Sequence, residues 1–283
     1  IDVDRRQALD PGLERLYLAY LADDLSYGAV GPEFSAALAA LQEGQVIFAQ
    51  APQLLKGQVT GPVSWGLTVV DQNRRPLLSD EILADAVAKH LRLKVGWQQA
   101  LLSGHAANTL IFVDEPYLCA YGSAFVSLSR EQVVRYLYEV LAEITGLKGV
   151  HCCGNTDWSI LLETPVDVLS LDAYDYASSL ALYPEQVGRF LERGGVIAWG
   201  IVPNTQAAET ETAESLVERL EQAIDGLAAR GVSRDVLLGR GLVSPACGTG
   251  SLPTALAERV FDLTAQVSAL MRERYATGEV ERS

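Results

Sequence analysis

With 283 residues, 49% of them hydrophobic and 20% charged, the chain can bury a sizeable core, which excludes a disordered or fibrous class. Acidic residues outnumber basic ones 36 to 22, and the formal charge of −14 excludes nucleic acid and anionic membrane as expected partners. Without an apolar run of about 20 residues or a charged-then-apolar leader, the sequence reads as that of a soluble, cytoplasmic protein. Four cysteines are too sparse for a disulfide framework, so they are expected as reduced thiols or metal ligands.

Residues 1–52 read as a mostly helical lead-in. Six short runs rich in Val, Ile and Leu then alternate with amphipathic stretches, the pattern of parallel strands separated by helices. In chain order they are "LLKGQVTGP" (54–62), "TLIFVDEP" (109–116), "KGVHCCG" (148–154), "VDVLSLDA" (166–173), "VIAWGIVP" (196–203) and "GRGLVSPACG" (239–248). Helices are expected over 80–103, 180–193, 210–230 and 253–277, and Ser129 with Gln132 forms a capping-box pattern ahead of another. No linker divides the strands, so 1–283 is expected to be a single α/β barrel domain, with strands and active-site loops over 53–250 and a C-terminal helix in 251–283. Each strand ends in polar or glycine-bearing residues, where (β/α)8 TIM-type barrels carry their active sites.

Chemistry concentrates at those ends. Side chains alternate along a strand, so His151 and Cys153 share one face and Cys152 takes the other. Imidazole and thiolate are zinc ligands, and two residues apart on a strand they can supply two corners of a tetrahedron. Cys247, after the last strand, is the natural third donor, and Asp172 in "LSLDAY" is a candidate carboxylate. Three protein donors describe a catalytic rather than a closed structural site. The bland alternative is a satisfied core histidine beside buried thiols. Cys152 is expected behind the strand, and Cys119 is expected to be an ordinary buried thiol.

Asp114 and Glu115 in "FVDEP" cannot both face the same side of a strand, so one is expected to bind substrate and the other to serve structure. Asp157 in "NTDWS" is either a helix cap or a substrate-facing acid, and Lys56, unusual in an apolar strand, either binds an anion or pairs with an acid. The "CGTGS" segment lacks the Gly-Lys-Ser/Thr ending of a phosphate loop, and neither a G-x-G-x-x-G after a strand nor a G-x-S-x-G elbow is present.

Taken in order, "KGQVTGP", "IFVDEP", "HCC", "VDVLSLD" and "SPACG" resemble the cobalamin-independent methionine synthase family. That family belongs to the wider superfamily of uroporphyrinogen decarboxylase and corrinoid-dependent methyltransferases, and the resemblance runs from about residue 53 to 250. It implies a zinc-dependent methyltransferase acting on a small thiol, most plainly homocysteine to give methionine. It makes His151, Cys153 and Cys247 zinc ligands, sets Asp172 where the family has a longer glutamate ligand, and sets Asp114 where the family contacts the homocysteine amino group.

Three departures accompany the resemblance. "VIAWGIVP" lacks the histidine that the family carries on that strand. The second, folate-assisting barrel of full-length synthases has no counterpart here, which leaves a methyl-corrinoid, with or without a corrinoid protein, or a small methylated compound as donor. The family's first two strands, upstream of "KGQVTGP", are also not found, and the chain begins with Ile, so a barrel lacking two strands is expected. Alternatives are a corrinoid-linked methyltransferase with another thiol acceptor, or a barrel that binds zinc or a ligand without turnover.

Overall fold

A computed structural model describes residues 2–3, 9–123, 126 and 128–275. The chain is a mixed α/β protein whose strands are β1 (Asp2–Val3), β2 (Leu55–Thr60), β3 (Val70–Asp71), β4 (Thr109–Asp114), β5 (Leu147–Cys152), β6 (Val168–Asp172), β7 (Val196–Val202) and β8 (Gly241–Pro245). Its helices are α1 (Leu9–Leu21), α2 (Ala36–Gln42), α3 (Pro62–Thr68), α4 (Glu81–Ser103), α5 (Arg130–Leu141), α6 (Trp158–Glu163), α7 (Ala173–Leu180), α8 (Pro184–Glu192), α9 (Ala213–Ala228), α10 (Arg234–Gly239) and α11 (Thr254–Tyr275). All six expected strands are present and form a sheet in the order β2-β4-β5-β6-β7-β8. The pairings of β2 with β4, β4 with β5, β6 with β7 and β7 with β8 are all parallel.

Two compact units make up the chain, one of residues 1–151 with 164–167 and the other of 152–163 with 168–283. In the first, α4 packs against β2 and β4, and α1 lies on α4 through Leu16, Ala19, Ala86 and Leu93. Asp80 starts α4 by accepting from the Ile82 and Leu83 amides, and the expected Ser129–Gln132 capping box starts α5. The outer edge of β2 is covered in an unexpected way. The Gln98 amide, 4% exposed, donates to the Gln58 carbonyl (3.0 Å) and accepts from the Gln58 N–H (3.1 Å). A helix side chain thus satisfies the backbone groups that a neighbouring strand would otherwise take. A two-residue pairing of β1 with β3, also unexpected from the sequence, stands apart from the main sheet.

In the second unit, Ile197, Trp199 and Ile201 of β7 are at most 1% exposed, and α9 and α11 pack against this strand. Each fully buried side chain of that size contributes roughly 1.5–3 kcal/mol. The helix expected over 180–193 is present as α8, which starts a few residues later because Pro184 opens it at a position where its missing N–H costs no hydrogen bond; α7, ending at Leu180, is a separate helix unexpected from the sequence. Cys119 also differs from expectation. It is exposed, because "PYLCA" forms a 3-10 turn over Pro116–Ala120 in which Leu118 takes the fully buried place.

Candidate metal centre

Strand register decides which side chains can meet. Thr60 pairs with Asp114, and Asp114 with His151, so these three residues leave the sheet on one face, together with Lys56 and Phe112 two positions apart. Phe112 lies over Gly149, whose missing side chain leaves room for the ring. Lys56 extends across the same ring, its Nζ 5.0 Å from the centroid, and donates to Gln58 Oε1 at 2.6 Å. Burial pushes its pKa down while the Asp114 carboxylate pulls it back up.

Glu115 leaves on the opposite face. It is fully buried, and its carboxylate accepts from the Val63 N–H (2.9 Å), the Ser64 N–H (2.7 Å) and Ser64 Oγ (2.7 Å) at the start of α3. Burial pushes its pKa up to about 7 against the downward pull of those three bonds. Gly61 leaves the space that this carboxylate fills. The parity expected for the Asp114–Glu115 pair is therefore realised, with Glu115 tying β4 to the first turn of α3.

His151 and Cys153 are half-buried, whereas Cys152 between them is fully buried and points its Sγ to the Gly154 carbonyl at 3.5 Å. Cys247 follows β8 and is half-buried too. Its placement comes from the β7–β8 pairing, which continues past the strand as the Ala246 N–H donates to the Val202 carbonyl at 2.8 Å. Beyond it, Asn204 Nδ2 donates to the Gly248 carbonyl at 3.1 Å, fastening the loop after β8 to the loop after β7. The close approach depends on Gly200, where a Cβ would run into the Leu171 carbonyl, Ala246 Cα and the Pro245 carbonyl.

The result is a group of three donors: one nitrogen of His151, Sγ of Cys153 and Sγ of Cys247 lie within 4.8 Å of one another. The donor set fits zinc. Zinc takes imidazole nitrogen at about 2.0 Å and thiolate sulfur at about 2.3 Å, and a tetrahedron with those lengths separates its corners by about 3.5–4 Å. In the protein without metal, the Cys153 thiol is pushed well above its ordinary range, first by its hydrogen bond with Cys247 and then by burial. A cation binding there must displace those thiol protons.

Asp172 is not one of the three. It caps α7, its Oδ1 accepting from the Asp175 N–H at 3.0 Å. Burial first, with smaller contributions from Asp175 and Cys247, raises its pKa. Asp157 precedes α6 and accepts at Oδ1 from the Ser159 N–H (3.1 Å) and Oγ (2.6 Å), the geometry of a helix cap. Sequence reasoning did not single out Gly200, although a glycine inside an apolar strand signals a close backbone approach.

No protein-family profile matches the chain, and no curated protein matches it. Nine solved chains do match in fold. One is a chain from Listeria monocytogenes provisionally assigned as a vitamin-B12-independent methionine synthase, with a TM-score of 0.52 and 17% identity over 79% of this chain. The match spans 64% of that protein's length. At this identity the likeness is one of fold alone, a mixed α/β scaffold with a parallel sheet. No helix among the described residues is long and apolar enough to cross a membrane.

Proposed function

We propose that the chain is a zinc-dependent methyltransferase that transfers a methyl group to a small thiol, homocysteine first among the candidates, on a (β/α)8-type barrel scaffold. The observation that carries this is the convergence of His151, Cys153 and Cys247 from two separate strand ends. Three donors are one fewer than a closed structural zinc site uses, which leaves a place for a substrate sulfur. Bound there, zinc would supply a Lewis acid that lowers the pKa of the incoming thiol. Two cysteine thiolates would hold the metal with little net positive charge, so that the substrate sulfur stays nucleophilic.

Asp114 shares the His151 face of the sheet, which supports a role for its carboxylate in meeting the ammonium group of an amino-acid substrate. Lys56 lies on the same face, and in this reading it meets an anionic group of the substrate. Glu115 and Asp157 position backbone rather than substrate in this account, because their carboxylates are engaged at the starts of α3 and α6. The methyl donor is a methyl-corrinoid, delivered free or on a corrinoid protein, or a small methylated compound. A second account, metal binding without turnover, is favoured by β7, which contains no histidine to handle a proton.

The test is to incubate the zinc-loaded protein with homocysteine and, separately, methylcobalamin, a methyl-folate or a methylated sulfonium, and to measure methionine. Methionine from one donor, lost in Cys247→Ala, is expected. No methionine from any of them removes the homocysteine assignment.

A further inference from the structure

On the helix-covered side of β7 and β8, within the second unit, lies a cavity of about 760 Å³. That is within the range of about 300–1,000 Å³ typical of small-molecule sites. Its walls are largely apolar, built from Leu220 and Ile224 of α9, Leu237 of α10 and Met271 of α11.

Two polar features give the cavity a direction. Trp199 lines it and is 1% exposed, and its buried indole Nε1–H has no hydrogen-bond acceptor. A Cβ placed on Gly241, another lining residue, would sit 3.2 Å from that nitrogen and 3.1 Å from the Leu237 carbonyl. With a glycine at this position, strand β8 places no Cβ against the indole N–H. A buried donor left without an acceptor is destabilising, so a ligand oxygen that reaches it gains a hydrogen bond.

The charged lining residues are Arg234, Asp235 and Arg272. Arg234 is committed to Asp225 at 2.8 Å and stacks on Tyr275. Arg272 is exposed and donates to Ser268 Oγ at 2.9 Å, with no carboxylate partner among the described residues. The cation thus marks the solvent end and the indole N–H the inner end.

We propose that this cavity binds an amphipathic acid: an apolar body with an anionic headgroup at Arg272 and an oxygen acceptor at its far end, facing Trp199. The site is separate from the cysteine and histidine donors and does not depend on the methyltransferase assignment.

The test is calorimetric titration of the full chain with 10-hydroxydecanoate and with decanoate, which lacks the terminal oxygen. The expected result is one site per chain, with the hydroxy acid bound about fivefold more tightly, the value of one ordinary net hydrogen bond. Ser268→Phe, which fills the cavity from α11, should abolish binding of both probes, and Arg272→Gln should weaken both severalfold. Trp199→Phe should bring the two affinities together. Thermal melts of all three variants establish that each is folded. Absence of saturable binding to the parent, or binding that Ser268→Phe leaves unchanged, overturns the site. Equal affinity for the two probes in the parent overturns the role of Trp199.

Discussion

His90 offers a pH dependence that can be worked from the structure. It stands in α4 with Tyr27 packed edge-on at 6.0 Å and Trp65 at 6.4 Å between ring centroids. Burial, and then the Lys94 charge one turn further on, push its pKa down from 6.5 to about 4. Between those values the unfolded chain binds a proton that the folded chain does not, so stability rises with pH across this window. The contribution is complete above pH 6.5 and is lost as the pH falls towards about 4. At about 1.36 kcal/mol for each pH unit between the two values, the loss comes to about 3 kcal/mol. His90→Phe keeps a ring between Tyr27 and Trp65 and removes the titration. Urea denaturation of parent and variant from pH 8 to pH 4 should show the parent losing about 3 kcal/mol more than the variant. Parallel stability curves would refute the burial of a neutral imidazole at this position.

Glu115→Ala should cost at least about 2 kcal/mol, because it leaves the buried Val63 and Ser64 N–H groups without their acceptor; thermal melts check this, and a change below about 0.5 kcal/mol would contradict it. Gly200→Ala should lower both stability and retained metal, since its Cβ meets the Leu171 carbonyl and the Ala246 backbone just before Cys247; melts paired with a metal assay read both effects. Gln98→Ala should expose the Gln58 edge of β2, costing about 1 kcal/mol and raising self-association on size-exclusion chromatography, whereas an unchanged elution profile would deny the edge-covering role.

Much of the scaffold was legible because the buried parallel strands β4, β6 and β7 carry nearly continuous apolar runs, and all six strands of the sheet stand where they were expected. The His151–Cys153 pairing and the opposition of Asp114 to Glu115 followed from strand parity alone. Residues that act across long sequence separations were not legible. Nothing local marks Gln98 as the partner of Gln58, or Glu115 as the acceptor for α3, because each needs the packed fold to bring it into place. The break between α7 and α8 had a signal, Pro184, which disfavours helix in the residue before it and suits the first position of a new one. Cys119 misled because its neighbours are apolar, while the turn geometry that exposes it is set by Pro116 and by Leu118 filling the core.

The central claim is that His151, Cys153 and Cys247 hold one metal ion, and elemental mass spectrometry of the purified protein tests it most directly. About one zinc per chain is expected, falling to a small fraction in Cys153→Ala and in Cys247→Ala while both variants keep the parent's circular dichroism spectrum. A parent that binds no zinc when supplied with it, or a Cys247→Ala variant that keeps the full complement, would contradict a shared site.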